Sequence, residues 1–357
     1  SPLIAQLTDR AGMILSPKAA KEAGDKFGQK PVCAGPFKFV ERVQQDRIVL
    51  EKFADYWNKD KINFDRVVFL PIADSTVRLA NLRSGQLDLI ERLPATDIKD
   101  VKSNPKLKLT TVPSLAYSGI TMNIANKEAG KTGLGLDPRV RQALNWAIDR
   151  EAINQVAFNG EFLAGNQWVN PMNPYYQKAF PVTPRDVKKA QDLLKAAGVK
   201  TPLVIDFMVP NNPEARQVAE IVQSMAAEAG FDMKIRLTEF ATSLTQAEQG
   251  NYQAYLLNWS GRTDPDGNSY SFHVCGQPLN YTGYCNKEID TLLAEARQKS
   301  SLEDRKAIYE KATKILQEEG GVLYLYHVSI LMAHSDRLEG YTQLPDGLIR
   351  LTGARLK

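Results

Sequence analysis

The chain has 357 residues, enough for about two domains of ordinary size, and 45 basic against 41 acidic side chains leave a formal net charge of only +4. Its Lys and Arg are scattered, which argues against a nucleic-acid footprint or a polybasic membrane patch. No apolar run approaches the roughly 20 residues that span a bilayer, and a chain opening on Ser1-Pro2-Leu3 is compatible with an export signal already lost.

Residues 1–34 read as a short helical piece, a Ser16-Pro17 helix start, a Lys/Ala helix and Gly-rich coil. Residues 35–53 (GPFKFVERVQQDRIVLEKF) alternate apolar and polar in two arms around Gln44-Gln45-Asp46, an antiparallel hairpin pattern. Residues 65–71 predict a strand. Asp74 then caps a helix with Val77, Leu79 and Leu82 on its apolar side, Gly85 ends it, and 87–90 returns as strand. Two further strands, 106–111 and 118–124, are expected on either side of a connection through Pro113 and Tyr117.

From Asp137-Pro138 the texture becomes helical, with proline in the first turn and Val140, Leu144, Ala147 and Ile148 as the apolar stripe. Asp149 caps a second helix that ends at Asn159-Gly160, and Asp149-Arg150 reads as a cap and surface pair. After an Asn/Pro/Tyr-rich loop (165–184), a helix runs from Pro184-Arg185-Asp186 to Gly198. Strands at 203–208, 233–237 and 253–257 then alternate with helices at 214–229 and 243–249, the order of an α/β sheet with crossovers. Helices at 287–299 and 302–319 precede 322–332 (VLYLYHVSILM), an apolar strand long enough to cross between two bodies. The fold class is α/β: residues 117–330 are expected to form an α/β lobe, and 1–116 with 331–357 a β-rich one. Trp57 and Trp146 read as core.

The richest chemistry follows strand 253–257, in Asn258-Trp259-Ser260-Gly261-Arg262-Thr263-Asp264-Pro265-Asp266-Gly267-Asn268. Two Asp, a Pro and a Gly stop the strand and force a loop, and loops leaving strand ends commonly carry ligand contacts. Trp259 offers an aromatic plate, Arg262 a permanent cation, and Asp264 and Asp266 two carboxylates. An Asp-Pro turn with a surface Arg would contain the same residues. Cys275 and Cys285, ten apart in the turn-rich CGQPLNYTGYC, predict a disulfide suited to an oxidising compartment, against two reduced cysteines that happen to be close. Cys33 is left free or paired outside this chain. With three histidines and no Cys-x-x-Cys or His-x-x-x-His spacing, no metal site and no cofactor are expected. Neither Gly-x-Ser-x-Gly nor a triad context for any His is present, so no catalytic residue is assigned; a small-molecule hydrolase is the alternative of another class.

Taken together, GPFKFVERVQQDRIVLEKFADYWN (35–58), LRSGQLDLI (82–90), DPRVRQALNWAIDREAINQVAFNG (137–160), AQDLLKAAGV (190–199), NYQAYLLNWSGRTDPDGN (251–268) and YCNKEIDTLLAEAR (284–297) resemble the family-5 extracellular solute-binding proteins of ABC importers. The resemblance implies a bilobed periplasmic-binding-protein-like fold (type II, cluster C) with a two-segment hinge. It implies a periplasmic or extracytoplasmic receptor, monomeric, that captures a small molecule or peptide between its lobes and delivers it to an ABC permease. SPLIAQLTDRAGMILSPKAA (1–20) resembles a segment well inside the first lobe, so part of that lobe is expected to lie outside this chain. The family position puts Trp259 and Ser260 at the ligand and the Trp168 loop (GNQWVNP) near the cavity mouth, with Tyr117 a further candidate at the lobe crossing. Peptide receptors of the family resemble one another in placing an acid three residues after this Trp, where it holds the ligand's ammonium. Arg262 stands there instead, which predicts an anionic group on the solute; a peptide is the alternative. Asp264 and Asp266 would either replace that acid or pin Arg262.

Overall fold

A computed structural model describes residues 2–357. The described residues divide into two compact units: Ile4–Val112 with Ile330–Lys357, and Pro113–Ser329 with residues 2–3.

The smaller unit begins with helices α1 (Leu3–Leu7) and α2 (Pro17–Ala23), the latter capped by Ser16 Oγ, which accepts from Ala19 N. Strands β1 (Phe37–Val43), β2 (Arg47–Lys52) and β3 (Arg66–Phe69) make an antiparallel sheet in chain order. Its first turn is the Gln44–Asp46 reversal, where Gln45 takes a positive φ of 60°. Helix α3 (Ser75–Ser84) is capped by Asp74 at Val77 N and ends on Gly85 at φ 79°. It buries Leu79 and Leu82 but leaves Val77 46% exposed, so its apolar face is narrower than the sequence suggests. Strand β4 (Leu89–Glu91) and helix α4 (Ile98–Ser103) follow. Trp57, expected in the core, is 83% exposed with its ring tilted against Tyr56. Its turn position places it on no packed face.

Strand β5 (Leu107–Met122) is a single element of 16 residues where two strands and a connection are expected. Proline's fixed φ suits extended backbone, so Pro113 removes a donor without stopping the strand.

In the larger unit, α5 (Pro138–Ala147), α6 (Arg150–Phe158), β6 (Leu163–Ala164) and α7 (Val187–Ala196) are followed by β7 (Leu203–Pro210), α8 (Pro213–Ala229), β8 (Phe231–Thr238), α9 (Phe240–Glu248) and β9 (Ala254–Trp259). Asp137, Asp149 and Asp186 each cap their helix through the side chain. Helices α10 (Asp266–His273), α11 (Lys287–Gln298) and α12 (Leu302–Glu319) lead to β10 (Val322–Ser335). The sheet order is β10-β5-β9-β7-β8, with β6 on β10. Strands β7 and β8 are parallel around crossover helix α8, as the alternating pattern requires, while β5 and β9 are antiparallel. In the smaller unit, the far end of β10 pairs with β4, and β11 (Leu338–Glu339) pairs with β12 (Arg355–Leu356).

Arg150 departs from its expected surface place. It is 2% exposed, donating from Nε to Tyr324 O at 2.8 Å and from Nη2 to Asn145 Oδ1 at 2.5 Å. Desolvation lowers its guanidinium to a pKa of about 10. The cap Asp149 is as expected; the residue after it turns inward because two acceptors await it there.

Candidate functional site

Strand β9 ends at Trp259, whose register partner on β5 is Tyr117. The chain then turns at Gly261, with φ 75° and its backbone so close to β5 that a Cβ would lie 1.9 Å from Leu115 O. Only glycine satisfies both conditions. The turn is tied by Asn268, 1% exposed in the first turns of α10. Asn268 Oδ1 accepts from Trp259 Nε1 at 2.9 Å and from Arg262 N at 2.8 Å, and its Nδ2 donates to Arg262 O at 3.0 Å. One amide therefore sets both the indole and the Arg262 backbone. The Arg262 guanidinium lies 4.5 Å from the Trp259 ring centre, with Nη1 donating to Ser260 Oγ at 3.1 Å and Gly261 O at 2.7 Å. Ser260 is exposed, and Trp259 and Arg262 are half-buried.

The two carboxylates of the loop reach distant arginines. Asp264 is gripped at both oxygens by Arg305, each contact 2.7 Å. Asp266, 2% exposed, takes Arg297 Nε at 2.7 Å and Nη2 at 3.1 Å. These hydrogen bonds hold the Arg305 and Arg297 guanidiniums above their ordinary pKa against the opposing pull of burial. Asp264 Oδ1 also accepts from Asp266 N at 2.9 Å, which starts α10 where the sequence predicts continuing loop.

Tyr117 and Trp168 are 5% and 3% exposed, inside an apolar cluster with Val169, Tyr284, Ile289 and Leu293 against which Trp259 packs. The Tyr117 ring meets Tyr324 edge-on at 5.0 Å, and Trp168 lies 5.7 Å from His273. The candidates thus separate: Trp259, Ser260 and Arg262 reach solvent, Tyr117 and Trp168 lie in the buried cluster on which Trp259 packs, and Asp264 and Asp266 pair with Arg305 and Arg297.

Residues 2–280 match the bacterial extracellular solute-binding proteins, family 5 Middle. The chain belongs to this family. It is 27% identical to the glutathione-binding protein GsiB of Pectobacterium atrosepticum, over 100% of this chain and 70% of that protein. It is also 27% identical to the dipeptide-binding protein of Escherichia coli, over 97% of this chain and 66% of that one. The periplasmic binding protein DppA of Helicobacter pylori, solved with the peptide STSA, superposes with a TM-score of 0.86 at 26% identity, covering 99% of this chain and 70% of that one. No helix among the described residues is long and apolar enough to cross a membrane.

In this family-5 protein Cys275 and Cys285 form the expected disulfide, with Cα atoms 4.7 Å apart, and Cys33 is exposed and free. Sequence reasoning missed Asn268, Arg297 and Arg305. Asn268 stands inside the stretch singled out, but an asparagine in a turn signals nothing beyond the turn. Arg305 lies 41 positions from Asp264, and no local pattern joins them.

Proposed function

We propose that this family-5 protein is an extracytoplasmic, periplasmic receptor that captures a small solute by binding alone and delivers it to an ABC import permease, acting as a monomer. Residues 117–330 are its α/β lobe, and 1–116 with 331–357 the β-rich one. The solute contact is the end of β9, with an anionic group at Arg262, the indole of Trp259 beneath it and Ser260 beside it. The observation that carries this is a guanidinium stacked on a half-exposed indole with its backbone held by Asn268. Arginine stays charged at working pH and donates planar hydrogen bonds that fit a carboxylate or phosphate. Tyr117 and Trp168 support that surface from behind, and Asp264 and Asp266 hold the loop.

Native mass spectrometry of the protein purified without denaturation would identify the solute it carries. Calorimetry with that solute should then show Arg262→Ala weakening binding by about 1.5–3 kcal/mol, the scale of a charge-assisted hydrogen bond. Unchanged affinity would make Arg262 scaffold and remove the anionic requirement.

A peptide ligand is the second reading, favoured by the relatives named for dipeptides and by the neighbour solved with STSA. Arg262→Asp separates the two, since an acid at that position would admit amine-bearing peptides that the parent rejects. Release of product from glutathione or a dipeptide on incubation would overturn a role in binding alone.

A further inference from the structure

We propose that Arg305 is the positioning residue of this site, a fork that holds the Trp259–Arg262 loop and the segment 170–177 as one piece. The inference rests on the reading above for its consequence in binding, but not for its geometry.

Arg305 stands near the start of α12 and is 4% exposed. A guanidinium has five N–H bonds, and all five are used. Nε donates to Ala296 O of α11 at 3.0 Å. Nη1 donates to Asp264 Oδ2 at 2.7 Å and to Tyr175 Oη at 2.8 Å. Nη2 donates to Asp264 Oδ1 at 2.7 Å and to Tyr309 Oη at 3.2 Å. Tyr175 belongs to the 170–177 segment, which a second bond ties to the same loop: Asn173 Nδ2 donates to Thr263 O at 3.1 Å. Asn170 Nδ2 in turn donates to Ser114 O of β5 at 2.6 Å, so the segment is also seated on the sheet.

The consequence passes along a short chain of bonds. Arg305 orients Asp264, Asp264 accepts from Asp266 N and sets the start of α10, and two residues on Asn268 holds the Trp259 indole and the Arg262 backbone. A buried ion pair contributes little net stability relative to well-packed apolar side chains. What this one supplies is direction: a planar, bidentate grip on one loop with a third hand on the other. Lysine keeps the charge but cannot reproduce that fork.

Hydrogen exchange followed by mass spectrometry on the full chain tests this without a ligand. In Arg305→Lys, amides of 259–268 and 170–177 should exchange about tenfold faster or more, while β7, α8 and β8 keep their protection. Tyr175→Phe deletes a single hydroxyl, leaves the Asp264 grip and should speed exchange in 170–177 alone; it keeps the test decisive where Arg305→Lys fails to fold. Unchanged exchange in both segments, or a uniform rise over Pro113–Ser329, would overturn the proposal. Glutathione binding by calorimetry separates the two claims. An affinity that falls in Arg262→Ala but stays at the parent level in Arg305→Lys defeats the positioning role alone. Local loosening in Arg305→Lys with affinity untouched by either variant upholds the fork and defeats the ligand site.

Discussion

Gly261 and Asn268 carry the geometry of the β9 end, and each gives a sharp expectation. Gly261→Ala drives a methyl into Leu115 O in a left-handed backbone conformation, so the loop must move or strain. A loss of about 3 kcal/mol or more in urea unfolding is expected, because the obstacle is backbone and cannot swing aside. Asn268→Ala leaves the Trp259 indole N–H and the Arg262 amide without their acceptor. That should cost about 1–3 kcal/mol and shift the Trp259 fluorescence; a silent variant would show that water replaces the amide without loss. Neither role could be read from residue type. Gly261 sits in a stretch whose turn chemistry is plain in the sequence, but its contact with Leu115 depends on β5 lying alongside.

Helix starts were among the most legible features at the scale of elements. Asp74, Asp137, Asp149 and Asp186 all cap where their local spacing puts them, since a cap bond reaches only two or three residues ahead. Asp149→Ala should lower stability by about 1 kcal/mol in denaturant titration. The Cys275–Cys285 loop was legible for the same reason of short range. Replacing both cysteines by serine should cost about 2–3 kcal/mol, whereas no change under reducing titration would mean that the loop's own hydrogen bonds already hold it. β5 and α10 differ from the local signal. β5 runs unbroken through Pro113, and α10 starts at Asp266 inside the expected loop. In both, a local breaker signal is outweighed by a bond or geometry it does not include: extended backbone tolerates proline, and the Asp264 carboxylate accepts the first helical amide.

At the scale of the whole molecule, burial should make stability fall with pH well above the range of acid unfolding. His273 and His327 are both 2% exposed, and desolvation lowers each to a pKa of about 4 from an ordinary 6.5. Below pH 6.5 the unfolded chain takes up protons that the folded one refuses. The histidine contribution to stability should therefore drop between about pH 6.5 and 4, by up to about 1.4 kcal/mol per pH unit for each ring, and change no further beneath that window. Asp74, Asp137 and Asp346 are held below their ordinary 3.8, so their contribution is lost only at lower pH. Urea midpoints from pH 7 to 4.5 would measure the slope, which His273→Gln should reduce; a flat profile would contradict the burial of both rings as neutral groups. By itself the sequence determined the hairpin, the caps, the α/β alternation, the disulfide and the family, because each is written within a few residues or in the order of such segments. Tertiary structure alone decided that Arg150 turns inward, that Trp57 faces solvent, and that Asp264 and Asp266 pair with Arg305 and Arg297. Those outcomes depend on which surfaces meet across dozens of residues, and a side chain's type does not say what will be packed against it.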